Sequence, residues 1–118
     1  MRAIFDGALY DTDDVEDNVE VVRVSSGHFR NDVNFSCRTL LKTPLNHFFL
    51  HCEGGAGSIY AERDGDAMSW GESIQPLNKS EALEFVTLEA EKGNEQAVDA
   101  LIAWMKDTHN PIYQIGRP

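Results

Sequence analysis

The sequence predicts an α+β fold: a small antiparallel sheet of three to five strands with two C-terminal helices packed on it. Three observations predict it. Between residues 19 and 52, runs rich in β-branched and aromatic residues alternate with turn-forming clusters. From Asn78 onward, apolar residues recur at helical spacing. With 118 residues, 42% of them hydrophobic, the chain is long enough for one domain, 1–118, whose core needs no staples.

Residues 1–20 carry the acids Asp6, Asp11, Asp13, Asp14, Glu16, Asp17 and Glu20 against the single base Arg2. Gly7-Ala8-Leu9-Tyr10 predicts a short edge strand or the turn into one. Asp11-Thr12-Asp13-Asp14 predicts a turn or helix N-cap, because short acidic side chains accept bonds from free backbone N–H groups. It is not an EF-hand: counted from Asp11, the glycine and glutamate positions of that loop hold Glu16 and Val22. Residues 19–24 form a strand ended by Ser25-Ser26-Gly27, and a turn runs through 27–32. Strands over 33–42 and 47–52 are joined by the four-residue loop Thr43-Pro44-Leu45-Asn46. That loop sets Lys42 opposite His47, Leu41 opposite Phe48, Thr39 opposite Leu50 and Cys37 opposite Cys52. Leu41, Thr39, Cys37, Phe48, Leu50 and Cys52 then share a core face, and Lys42, Leu40, Arg38, His47, Phe49 and His51 the mixed one. The cysteines are read as packed thiols.

Gly54, Gly55 and Gly57 follow as a tight turn in which glycine permits positive φ. A phosphate loop is excluded, since Ser58-Ile59 stands where Lys-Ser/Thr is required and Glu53 precedes the glycines. Glu62-Arg63-Asp64-Gly65-Asp66 reads as a solvated acidic turn. Helices are expected over 78–91 and 94–107. Asn78 is the first N-cap, with Glu81 completing a capping box. Ala82, Phe85 and Val86, with Leu83, give that helix its apolar stripe, and Gly93 stops it. Asn94 starts the second helix, whose buried face is assigned to Val98, Leu101, Ile102 and Met105, with Trp104 at the margin. Helix cannot continue past Pro111.

No reaction chemistry is legible. The potential metal ligands are His28, Cys37, His47, His51, Cys52 and His109, without C-x-x-C or helical H-x-x-x-H spacing. His47 and His51 lie roughly 13 Å apart on a strand and cannot share an ion. Cys37 or Cys52 with His28 or His51 is the remaining nucleophile–base pair, but His51 and Cys52 point to opposite faces of one strand. Carboxylates such as Glu62 and Asp64 give no sign of burial that would mark acid–base work. The expectation is a non-enzymatic chain with no metal and no cofactor.

Charge is the strongest compositional signal. Twenty acids against ten bases give −10, and the pI is about 4.6. Such a chain is repelled by nucleic acid and by anionic membranes and drawn to basic surfaces, of which nucleic-acid-binding grooves are the commonest; solubility alone is the competing explanation. No apolar run approaches the roughly 18 residues of a membrane span. Residues 1–6 turn acidic too soon for a signal peptide, so the expected compartment is the cytoplasm.

A run of motifs adds a resemblance. Phe49-Leu50-His51, Glu53-Gly54-Gly55-Ala56, Tyr60-Ala61-Glu62, Trp70-Gly71-Glu72, Ile74-Gln75-Pro76-Leu77 and Glu81-Ala82 resemble, in order and spacing, a family of short acidic proteins of phages and bacterial mobile elements. Thr39-Leu40-Leu41-Lys42-Thr43 resembles the strand before its hairpin, and the likeness covers about residues 29 to 86. It departs at Pro44-Leu45-Asn46, which lacks the usual glycine, at Cys52, and after Glu91. The family includes or neighbours anti-CRISPR proteins. The resemblance therefore implies an inhibitor of a CRISPR–Cas effector complex, type I foremost, in the cytoplasm of a bacterial host; the acidic charge adds the expectation that it binds a basic groove of an effector subunit through a DNA-mimicking surface. The residues assigned to partner binding are Asp11, Asp13, Asp14, Glu16, Asp17, Glu53, Glu62, Asp64, Asp66 and Glu72. No direct contact with nucleic acid or membrane is expected. The alternatives are a mobile-element interaction module without a CRISPR role, and a Cys/His enzyme.

Overall fold

In the computed structural model, residues 1–14, 17–27 and 32–106 are described. The central sheet is antiparallel, in the order β3 (Val19–Ser26), β4 (Ser36–Lys42), β5 (Phe48–Gly54) and β8 (Gly71–Leu77). Two ribbons accompany it: β1 (Arg2–Phe5) with β2 (Ala8–Asp11), and β6 (Glu62–Asp64) with β7 (Ala67–Ser69). The helices α1 (Lys79–Glu91) and α2 (Glu95–Lys106) follow. The expected α+β class holds, with four strands in the main sheet.

The helices cover one face of the sheet. Val21, Val22, Leu40, Phe48, Leu50 and Cys52 pack there against Ala82, Val86, Ala97 and Trp104. Val21 and Val22 are neighbours in sequence yet both buried, because a bulge between Glu20 and Val22 turns the two side chains to the same side. The N-terminal ribbon covers one end of the opposite face. Tyr10 of the N-terminal ribbon packs there with Phe49 and Ile74, its ring 5.3 Å from that of Phe49. Asp6 and Gly7 form the turn of that ribbon at φ 50° and 79°, the positive angles of a two-residue hairpin of the I′ kind.

The β4–β5 register corrects the expected one. Thr43 N–H donates to His47 O at 2.8 Å and Asn46 N–H to Thr43 O at 2.9 Å. The loop is therefore three residues, Pro44-Leu45-Asn46, with Asn46 at φ 63° in the place glycine usually takes. Losing one loop residue shifts every pair: Lys42 faces Phe48, Leu40 faces Leu50, Thr39 faces His51, Arg38 faces Cys52 and Cys37 faces Glu53. Cys37 and Cys52 are both buried free thiols on opposite faces of the sheet, not cross-strand neighbours. Phe49 and Leu41 belong with Tyr10, while Leu40 joins the helix-side core. β4 also starts later than expected, because Asp32 accepts from Asn34 N–H at 2.9 Å through its side chain and from Phe35 N–H at 2.9 Å through its carbonyl, which holds 32–35 as a turn.

The helix ends form as expected. Asn78 Oδ1 accepts from Glu81 N–H at 2.7 Å, and Glu81 Oε1 accepts from Asn78 N–H at 2.9 Å, which closes the capping box. Gly93, at φ 92°, ends α1, and Asn94 Oδ1 caps α2 by accepting from Ala97 N–H at 3.2 Å. The buried face of α2 is corrected: Ala97 and Trp104 are buried, while Val98, Ile102 and Met105 are exposed. The two stripes share one helical period and differ by a single position. The one rich in alanine lets α2 approach β3 and α1 closely. The tail beyond residue 106 lies outside the described residues.

Candidate binding face

Beyond the N-terminal ribbon, the sheet face away from the helices carries a row of polar and ionisable side chains. Glu20 and Arg23 of β3 point onto it and pair with each other at 3.1 Å. Thr39 and Cys37 of β4, His51 and Glu53 of β5, and Glu72 of β8 follow in register, for Thr39 faces His51, Cys37 faces Glu53, and Glu53 faces Glu72. A cavity of about 500 Å³ lies between this face and the turn after β2, lined by Thr12, Asp14, Glu20, Arg23, His51 and Glu53 among others. His51 Nε2 stands 3.3 Å from Glu72 Oε2. One donor atom each of His51, Glu53 and Glu72 lie within 4.8 Å of one another. The sequence ligand search counted only histidines and cysteines, and β8 pairing is what brings Glu72 in.

At this end of the sheet, Gly54 faces Gly71, and the chain between them forms the β6–β7 arm. The glycines here are required for closeness rather than for positive φ, which corrects the reading of Gly54, Gly55 and Gly57: among the described residues, the glycines at positive φ are Gly7, Gly27, Gly65 and Gly93. A Cβ on Gly54 would strike the Ser58 side chain, one on Gly55 would lie 2.7 Å from Val33 O, and one on Gly71 would strike Tyr60 O. Gly55 N–H donates to Phe35 O at 2.9 Å and Gly57 N–H to Val33 O at 2.6 Å, tying the loop to the turn before β4. Phe35 and Trp70 stack across it, centroids 5.9 Å apart.

The acids assigned to partner binding divide into three groups. In the first, Asp11 pairs with Arg2 at 3.2 Å and Asp13 with the N-terminal ammonium at 3.0 Å, and Asp14 Oδ1 accepts from Asp17 N–H at 3.3 Å. A backbone N–H bond from Asp13 first, and then Arg2, hold the Asp11 carboxyl below its ordinary value of 3.8. These side chains are engaged in building the turn; Glu16 lies outside the described residues. The second group is Glu53 and Glu72, paired across β5 and β8 on the sheet face away from the helices. The third is Glu62, Asp64 and Asp66 on the arm, which are exposed and have no ion-pair partner among the described residues. The acidic turn expected at 62–66 is thus one strand and the tip of a hairpin, with Gly65 at φ 65° in its turn.

Among the described residues, neither cysteine is hydrogen-bonded to a histidine. Cys52 lies on the helix side, where burial pushes its thiol up, and Cys37 Sγ sits 3.7 Å from Thr39 Oγ1. His28 and His109 lie outside the described residues. Among the described residues no helix is long and apolar enough to cross a membrane. No family model, curated protein or solved structure matches the chain.

Proposed function

We propose that this chain is a non-catalytic inhibitory protein that occupies a basic, nucleic-acid-binding groove of a host effector complex in the bacterial cytoplasm. The observation that carries the reading is the β6–β7 arm. Every residue of its two strands is exposed, and Glu62, Asp64 and Asp66 have no ion-pair partner among the described residues. Acids that already hold an ion pair have little left to offer a partner; these three retain their full field for Lys and Arg side chains. The N-terminal acids contribute less than their number suggests, because Asp11 and Asp13 are paired within the fold. The motif resemblance over residues 29 to 86 directs the choice of target to a type I CRISPR–Cas effector.

The test is target-DNA binding by a purified type I effector complex with and without this protein. Blocked DNA binding is expected, with the block weakened at least tenfold by the E62K/D64K/D66K variant. That variant should unfold within a few degrees of the parent, since exposed substitutions away from caps and pairs change stability by less than about 0.5 kcal/mol each. A complex that holds this protein and target DNA together defeats the mimicry. No binding to any such effector leaves the mobile-element module without a CRISPR role.

A further inference from the structure

The geometry points to a first-row divalent metal site, zinc foremost, formed by His51, Glu53 and Glu72, and we propose it as a second property of the chain, independent of the inhibitory reading. His51 and Glu53 are two apart on β5 and therefore share a face, and Glu72 lies directly across from Glu53 on β8. One donor atom from each falls within 4.8 Å of the others. Donors of a tetrahedral zinc site, with bonds of about 2.1 Å, are about 3.4 Å apart. His51 Nε2 and Glu72 Oε2 already stand at 3.3 Å. Binding would draw the Glu53 donor in from a separation of no more than 4.8 Å.

The donor chemistry selects the ion. One imidazole nitrogen with two carboxylates suits zinc or manganese, whereas calcium takes six to eight oxygens. A divalent ion held between carboxylates that face each other across a ladder balances charge on both while the imidazole binds neutral, and it competes with the interaction that Glu53 already makes. Three protein ligands leave a coordination position for water, and the cavity of about 500 Å³ lined by His51 and Glu53 supplies the route to it. The pair next to the site is Gly54–Gly71, where the arm begins. A bound ion therefore clamps β5 to β8 at the root of the arm.

The test uses the full chain stripped with a chelator and titrated with zinc, manganese or magnesium chloride. Binding of one zinc equivalent is expected, with a rise in Tm of about 5 °C or more at a hundredfold excess over Kd. Magnesium is expected to give no rise. Glu53→Gln and Glu72→Gln should each weaken zinc binding at least tenfold, and because both side chains already make contacts in the metal-free fold, each variant's zinc-dependent rise is read against its own metal-free Tm. Substituting the exposed His47 by Gln should change nothing. Cobalt on the unaltered chain gives a readout that does not depend on any variant folding: the visible bands of a four- or five-coordinate nitrogen–oxygen site are expected. Absence of a zinc-dependent Tm rise, an unchanged rise in E53Q/E72Q, or a six-coordinate, water-like cobalt spectrum overturns the site.

Discussion

Asn46 shows how much one residue decides. At φ 63° it closes a three-residue loop, and that single shortened loop turns Cys37 away from Cys52 and sets Thr39 opposite His51. Gly71 is as constrained for a different reason. Its Cα sits against Tyr60 O, so a methyl group meets backbone that cannot rotate aside. Gly71→Ala is expected to cost about 2 kcal/mol or more, in the range of overpacked cores, and chemical denaturation measures it. Gly65→Ala gives the contrast, because nothing lies near its Cβ and only its positive φ resists. Asp11 governs acid behaviour at the N-terminus. Its carboxyl is held below 3.8 in the folded chain, so the stability it adds is present above that value and is lost as pH falls through the lower folded one. Amide exchange in β1 and β2 should accelerate below about pH 4 while the central sheet stays protected. Asp11→Asn should remove that step.

Among the elements, α2 shows the limits of a periodic pattern. Val98, Leu101, Ile102 and Met105 and the set Ala97, Ala100, Leu101 and Trp104 both follow i, i+3, i+4, i+7. The bulkier set loses because small side chains let the helix settle onto the sheet, with the Trp104 ring edge-on to Phe48 at 6.2 Å. Trp104→Ala should cost about 3–5 kcal/mol, whereas Ile102→Ser, at a side chain 45% exposed, should stay within about 0.5 kcal/mol. Thermal unfolding of the two variants decides between the faces. The start of α2 also protects the sheet: Gln96 Oε1 accepts from Arg23 N–H at 2.8 Å and Asn94 Nδ2 donates to Arg23 O at 3.4 Å, covering polar groups of the edge strand β3. α1 is tied to β4 through Glu89, buried at 3.7 Å from Arg38 and 3.3 Å from Lys92. Arg38 in turn lies 5.3 Å from the centre of the Phe85 ring.

Across the whole molecule, the charge of −10 does not form one strip. Exposed Glu81, Glu84, Glu91, Glu95 and Asp99 belong to the helices, on the other side of the sheet from Glu53 and Glu72. Duplex DNA carries one charge per about 1.7 Å of axis, so ten charges on one face correspond to about 17 Å of duplex. The sheet face away from the helices and the arm carry only part of that charge, which corresponds to a shorter length of duplex. Inhibition by such a surface should weaken as salt rises, because exposed charges are screened beyond about 8–10 Å near physiological ionic strength. Titrating sodium chloride in the effector–DNA assay checks this; inhibition indifferent to salt assigns the acidity to solubility.

The sequence by itself determined the α+β class, the capping box at Asn78 and Glu81, the stop at Gly93 and the restart at Asn94, because those features depend on residues within one helical turn of each other. It also contained the Asp6-Gly7 hairpin turn, a local pattern whose flanking strand 2–5 went unread. The tertiary structure alone decided the β4–β5 register, the buried side of α2, and the meeting of His51 and Glu53 with Glu72. Register depends on a one-residue difference in loop length that Pro44-Leu45-Asn46 does not announce. Glu72 is nineteen residues from Glu53 in sequence, and pairing across β5 and β8 makes them neighbours. The crowding at Gly54 and Gly71 is of the same kind, since it comes from the distant segments Phe35 and Tyr60 packing against them.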